Sequence, residues 1–280
     1  MGRRGDGYHL LDSLIGFAAI CDMVVVRPAV ELSLAIDGPF AADLKAEDDN
    51  LVLRAARALS AAHAGVPQGT GAAITLVKNL PVASGIGGGS SDAAAALRVL
   101  DALWDLHTPA GELAAIAAGL GADVPVCLLA RTAFVGGIGE DVTTGPKLPP
   151  VGLVLANPGV AISTAAVFRG YAGHTSNAAR REAAPANAVE LARQLANSRN
   201  DLSREACRHA PVVTNVLEAL EGVPGCLLVR LSGSGATCFG LFADVTVATA
   251  AADRVGRANP GWWVQGTGFI DRAPEIEEID

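Results

Sequence analysis

The sequence predicts an α+β protein of two lobes. Three observations carry this reading. Strand-like and helix-like segments alternate along the chain. The length of 280 residues lies between one large domain and two ordinary ones. A Pro- and Gly-rich stretch from Gly145 to Pro150 then interrupts the pattern near the middle, so a first lobe is expected over residues 1–148 and a second over residues 149–280.

The elements follow in order. Met23–Pro28 and Glu31–Ile36 read as strands of an antiparallel sheet, the second with the polar/apolar alternation of a half-buried strand. Asn50 is placed to cap a helix through Leu59, whose exit falls in the Gly/Pro-rich turn of residues 65–71. Ala72–Val77 reads as a strand, and Ser90–Leu106 as a helix with Leu97, Leu100 and Trp104 on one side. Thr108 as capping hydroxyl and Pro109 as first helical residue open a third helix that ends near Gly119 and Gly121. In the second lobe a strand is expected at Val151–Ala156, helices near Ala186–Ala196 and His209–Leu220, a strand-loop-strand over Cys226–Phe242, and a final helix and strand. Asp201 reads as a helix cap.

Composition narrows the function. Half the residues are hydrophobic and 18% are charged, the profile of a compact folded chain. A formal net charge of −8 argues against general nucleic-acid binding, because an acidic surface repels a phosphate backbone; any phosphate site must be local. Cys21, Cys127, Cys207, Cys226 and Cys238 are odd in number, scattered and free of the C-x-x-C spacing, so they read as buried thiols of a reducing compartment. No segment approaches the roughly 18–20 uninterrupted apolar residues of a membrane helix. Residues 1–9 carry arginines without the apolar core of a signal peptide. A cytoplasmic protein with no membrane association and no obligate protein partner is expected.

The most informative segment is Pro81-Val82-Ala83-Ser84-Gly85-Ile86-Gly87-Gly88-Gly89-Ser90-Ser91-Asp92-Ala93, which links a strand to a helix N-terminus. Backbone N–H groups and the helix dipole favour an anion there. Four glycines let the backbone approach a ligand that a Cβ would hold off, and Ser90 and Ser91 can cap the helix or touch phosphate. The Walker pattern is absent, and Ser90 stands where the dinucleotide fingerprint needs its third glycine. Taken alone, a tight turn with an ordinary serine cap remains the competing account.

Pro81-x-x-x-Gly85-x-Gly87-x-Gly89-Ser90-Ser91-Asp92-Ala93 resembles the ATP loop of the superfamily of galactokinase, homoserine kinase, mevalonate kinase and phosphomevalonate kinase, the GHMP kinases. Gly121-Ala122-Asp123-Val124-Pro125 resembles the segment with that superfamily's catalytic aspartate. Leu231-Ser232-Gly233-Ser234-Gly235-Ala236-Thr237 resembles its C-terminal glycine-rich motif. Residues 5–11, residues 78–85 and Asn157-Pro158-Gly159 are similar to a branch that phosphorylates a cytidine diphosphate-linked methylerythritol for isoprenoid synthesis. The resemblance implies a ribosomal S5 domain 2-like first lobe, a ferredoxin-like second lobe, ATP between them, and Mg²⁺ on its phosphates.

It also implies roles. Pro81, Val82, Ala83, Ser84, Gly85, Ile86, Gly87, Gly88, Gly89, Ser90 and Ser91 would bind the nucleotide. An aspartate after a helix is ordinarily a solvated cap, but Asp123 lies in an apolar stretch, and the resemblance makes it the general base. Tyr8 and His9, which alone would read as loop-packing residues, would stack on and hydrogen-bond the cytosine. Phe168 would be a second aromatic against the base, with a core phenylalanine as the alternative. Gly233 and Ser234 would close on substrate phosphates, with a plain hairpin turn as the alternative. The metal ligands stay unknown. The superfamily's Pro-Ala-Lys strand is not matched: of Lys45, Lys78 and Lys147 none follows such a pattern, none is expected to substitute, and the expectation is that the reading frame begins upstream. Two alternatives are kept: a catalytically weak nucleotide-binding sensor, and a kinase for another small alcohol.

Overall fold

The computed structural model describes residues 10–44, 50–63, 70–171 and 183–279. The strands β1 (Leu11–Ile15), β2 (Phe17–Ala18), β3 (Met23–Ala29) and β4 (Ser33–Asp37) come first, then helix α1 (Leu51–Ala62) and strand β5 (Gly71–Val77). Three helices follow, α2 (Gly88–Leu103), α3 (Ala110–Leu120) and α4 (Val124–Leu129), then β6 (Ala133–Gly137), β7 (Asp141–Thr144) and β8 (Gly152–Asn157). Next are α5 (Thr164–Gly170), α6 (Ala188–Ala196), α7 (Ser203–His209) and α8 (Val212–Glu221). The chain closes with β9 (Leu228–Leu231), β10 (Cys238–Phe242), α9 (Val245–Ala258) and β11 (Trp263–Ile270).

These elements form two compact units that are interleaved in the chain. One comprises residues up to Ile20, Ala83–Ile86 and Thr132–Asp271; the other comprises Cys21–Val82, Gly87–Arg131 and residues from Arg272 on. A division at residue 148 follows chain order, whereas the compact units are assembled across it.

In the second of these units β5 is the central strand. It pairs antiparallel with β3 and parallel with β4, so β3 and β4 are not neighbours, contrary to the purely antiparallel expectation. α1 begins as its sequence dictates: the Asn50 side chain accepts a hydrogen bond from the Val52 N–H at 2.9 Å. Its buried face of Val52, Ala55, Ala56 and Leu59 meets Leu97 and Leu100 of α2 and Ile74 and Leu76 of β5. Thr108 does not cap α3, where Pro109 holds the N-cap; its hydroxyl bonds instead to Asp101 and to His63 Nε2.

The other unit holds a five-stranded sheet in the order β2-β11-β8-β10-β9, and a separate three-stranded sheet β1-β6-β7. β8 is buried along its whole length. Val154 and Ala156 face one apolar cluster and Leu153 and Leu155 another, the period-2 alternation of a strand covered on both faces. Helix α9 approaches this sheet so closely at Gly152 and Gly266 that a side chain is excluded at those two positions. A Cβ on Gly152 would lie 1.9 Å from the Asp244 carbonyl oxygen, and one on Gly266 would lie 2.6 Å from Thr249 Cα. Gly152→Ala is therefore expected to cost about 1–3 kcal/mol of stability through overpacking against backbone, seen as a lower denaturant midpoint with an unchanged m-value.

Candidate active site

The glycine loop runs from the end of β5 to the start of α2. Pro81 and Ser84 are buried, while Gly87 and Gly89 are exposed. Gly87 is the N-cap of α2 with φ +71°, and no side chain caps the helix. The first backbone bond of α2 runs from the Ser91 N–H to the Gly87 carbonyl, which leaves the amides of Gly88, Gly89 and Ser90 ahead of the helical ladder. Ser90 and Ser91 thus lie inside the first turn rather than capping it. The Ser91 hydroxyl lies 3.4 Å from the Cys127 sulfur on α4.

The loop's middle residues are fixed by the β9–β10 turn. The Ser84 carbonyl accepts from the Thr237 N–H at 3.0 Å, and the Gly85 carbonyl accepts from the Ser232 hydroxyl at 2.9 Å. A Cβ on Gly85 would meet the Gly235 carbonyl oxygen at 2.4 Å. Residues 232–237 do form a hairpin turn, closed by the Ser232 N–H to the Thr237 carbonyl, and the turn is also bonded to the loop. The Thr164 hydroxyl on α5 lies 2.8 Å from the Ser234 hydroxyl. Half-buried Phe168, one helical turn on from Thr164, shares that face of α5. Thr164 thus ties α5 to the turn that holds Gly233 and Ser234, with Phe168 one turn farther along the helix. Tyr8 and His9 lie outside the described residues.

Asp123 is the N-cap of α4 but makes no side-chain capping bond, so its carboxylate is not consumed in the role an ordinary cap would have. The residue is exposed on one side, while the protein packed on its other side withdraws water and raises its pKa above the usual carboxylate range. Cys127, one turn along α4, is pushed up to about 11, first by burial and further by Asp123 and Asp92, with Ser91 pulling the other way. It is a neutral thiol beside the loop.

The chain of contacts that sequence reasoning missed lies beneath the loop. Lys78 is 3% exposed and donates to Asp22 and, at 2.9 Å, to Asp92. Asp22 Oδ1 also accepts from the N–H groups of Asn79 and Leu80 at 2.6 and 2.8 Å. The signal was a lysine and an aspartate flanking a glycine loop; their partner Asp22 lies 56 residues before Lys78. Lys147 pairs on the surface with Asp271, and Lys45 lies outside the described residues. Asp201 corrects another expectation: it accepts from Arg199 Nε at 2.7 Å rather than capping α7, and Asn200 holds the turn instead. Asn200 Nδ2 also reaches the Leu231 and Gly233 carbonyls, at 3.0 and 2.7 Å.

A glycine loop that opens a helix with amides ahead of the helical ladder, and an uncapped carboxylate of raised pKa on a helix packed against it, is an arrangement compatible with a small-molecule kinase, and the family matches give that class. The sequence matches the GHMP kinases N terminal domain over residues 50–131 and the GHMP kinases C terminal domain over residues 181–261. The chain belongs to the GHMP kinases, in the family of 4-diphosphocytidyl-2-C-methyl-D-erythritol kinase. The enzyme of that name from Cereibacter sphaeroides is 53% identical over 268 residues, covering 94% of this chain and 92% of the relative. That from Rhodospirillum rubrum is 48% identical over 269 residues, covering 96% and 88%. A crystal structure of 4-(cytidine 5'-diphospho)-2C-methyl-D-erythritol kinase superposes with a TM-score of 0.73 at 34% identity, covering 95% of this chain and 93% of that one. Homoserine kinase from Cytophaga hutchinsonii, 18% identical with a TM-score of 0.73 over 92% of this chain and 90% of its own, shares the fold. The α+β class and the two-domain kinase fold are thus as expected, and among the described residues no helix is long and apolar enough to cross a membrane.

Two of the loop's four glycines separate conformational from steric cost. A Cβ on Gly87 would meet nothing within 4 Å, so Gly87→Ala is expected to cost about 1 kcal/mol from its positive φ alone. Gly85→Ala adds the collision with Gly235 and is expected to cost about 2–4 kcal/mol, the two compared by urea unfolding.

Proposed function

We propose that this chain transfers the γ-phosphoryl group of ATP to the 2-hydroxyl of 4-diphosphocytidyl-2-C-methyl-D-erythritol, giving the 2-phosphate. The observation that carries the reading is the pairing, on the packed helices α2 and α4, of a glycine-opened helix N-terminus with the uncapped Asp123 carboxylate. The substrate is the one named for the relatives that match nearly the whole chain.

ATP supplies the transferable phosphoryl group, with Mg²⁺ as counter-charge to its phosphates. The residues fit a nucleotide. The exposed Gly87 carries no Cβ where a phosphate would approach, and the amides of Gly88, Gly89 and Ser90 are donors at the positive end of a sixteen-residue helix. Residues 81–91 together would hold the phosphates. No side chain is assigned to the Mg²⁺, which the nucleotide's own phosphate oxygens would carry.

Asp123 would orient the acceptor hydroxyl and take its proton. A carboxylate raised above its usual pKa is a stronger base, and phosphoryl transfer gains mostly from placement and charge neutralisation. Tyr8 and His9 would recognise the cytosine, with Phe168 as a second aromatic, and Gly233 and Ser234 would contact the substrate's diphosphate. The reaction belongs in the cytoplasm, where ATP and reduced thiols prevail.

Asp123→Asn tests the reading. The variant is expected to fold normally and to lose about 10²–10⁴-fold in kcat with the cytidine substrate, the usual contribution of a general base. In the parent, kcat/KM should fall as pH drops through the raised pKa of Asp123, because the protonated carboxyl cannot accept the hydroxyl proton, and this acid limb should vanish in the variant. An unchanged acid limb in Asp123→Asn would assign the base elsewhere.

A further inference from the structure

Three buried charges lie directly beneath the glycine loop, and the proposed reaction has not used them. The side chains of Asp22, Lys78 and Asp92 are 2%, 3% and 6% exposed. They come from three places in the chain: Asp22 from the residue before β3, Lys78 from the residue after β5, and Asp92 from the first turns of α2. One ammonium bridges two carboxylates, and Asp22 in turn accepts the amides of Asn79 and Leu80, the residues leading into the loop. Asn79 adds a bond from its side chain to the Cys21 carbonyl at 3.2 Å. A Cβ on Gly88 would lie 3.3 Å from Lys78 Nζ and 3.6 Å from Asp22 Oδ2, so the first residue of α2 rests on the ion cluster itself.

Fold stability is a poor reason for such a cluster, since well-packed apolar residues commonly replace a buried ion group without loss. Its location supplies a better one. The cluster ties the loop's entrance, through the Asn79 and Leu80 amides, and its exit, through Asp92, to a single nitrogen. We propose that Asp22, Lys78 and Asp92 are positioning residues for nucleotide binding, a buried charge clamp that fixes both ends of the glycine loop so that the opening amides of α2 are preset for phosphate. The inference rests on reading residues 81–91 as the phosphate loop.

Charge gives the clamp a signature that a structural brace would lack. Two carboxylates against one ammonium leave a net negative charge below an anion site, and a proton on Asp92 removes it. Burial, with Asp22 adding and Lys78 opposing, pushes Asp92 up to about 7. The other titratable groups near it are the thiols of Cys21 and, on α4, Cys127; both are raised by burial and stay neutral over this range. Phosphate affinity should therefore be greatest with Asp92 protonated and fall as pH rises through about 7.

The test is calorimetric titration of the whole chain with Mg²⁺–ADP from pH 6 to 8.5, with hydrogen exchange of the amides of residues 79–90 and thermal unfolding measured in parallel. Failure of the parent to bind ADP would sink the phosphate-loop reading and this inference with it. With the parent binding, Asp92→Asn, which is nearly isosteric and keeps an acceptor for Lys78 without the charge, should change the pH dependence of binding, the ratio of its ADP affinity to the parent's rising between pH 6 and pH 8.5. Its remaining pH slope should be that of the nucleotide alone. Lys78→Met should weaken ADP about tenfold or more at every pH, equivalent to about 1.4 kcal/mol, with faster exchange at residues 79–90 and unchanged exchange in β5. If Lys78→Met fails to fold, Asp92→Asn decides. Parent-like ADP affinity and pH slope in Asp92→Asn, with only a shifted unfolding temperature, would overturn the proposal and leave the cluster a structural brace.

Discussion

The interaction on which the site depends is the seating of the α2 N-terminus. A helix that opens on glycines has no side chain to hold its first turn, so its position must be fixed from outside. Here Asp22, Lys78 and Asp92, all of the unit that holds α2, tie the residues entering the loop to the first turns of the helix. Within the other unit, the Ser84 and Gly85 carbonyls accept from the β9–β10 turn. Both arrangements use charged or polar groups against backbone, because the loop has given up side chains to let backbone meet a ligand.

That constraint explains features elsewhere. Gly85 must lack a Cβ because Gly235 lies against it, and the β9–β10 turn is itself held by Asn200 and by Thr164. The Asn157 side chain bonds Thr237 and the Gly159 amide, so the end of β8 supports the same turn. α4 is packed on α2 with Cys127 against Ser91, which places Asp123 at the end of a helix whose neighbour carries the loop. The proposed base and the proposed phosphate cradle, on adjoining helices, would be positioned more narrowly than two loops would be.

Much of this was legible in the sequence, because the signals are local. Asn50 as cap, the apolar faces of α1 and α2, the glycine run of the loop and the alternation in β4 each follow from a few neighbouring residues. Spacing could not reveal what depends on distant pairing. β5 lies between β3 and β4 in the sheet, and the units are interleaved because residues up to Ile20, and again residues 83–86, belong with Thr132–Asp271. β2 and β7, of two and four residues, are too short to show a period. Thr108 looked like a cap by position, but Asp101 and His63 claim its hydroxyl. Lys78 looked unremarkable because Asp22 lies 56 residues before it and Asp92 stands on the far side of the loop, so nothing adjacent to it marks an ion cluster.

The most direct measurement is turnover by the full chain with ATP, Mg²⁺ and 4-diphosphocytidyl-2-C-methyl-D-erythritol, following ADP and the phosphorylated product together, with homoserine and mevalonate as competing alcohols. The account predicts one ADP for each 2-phosphate formed and no comparable turnover of the other two. Nucleotide binding without any product, or equal turnover of an alcohol that lacks the cytidine diphosphate group, would contradict it.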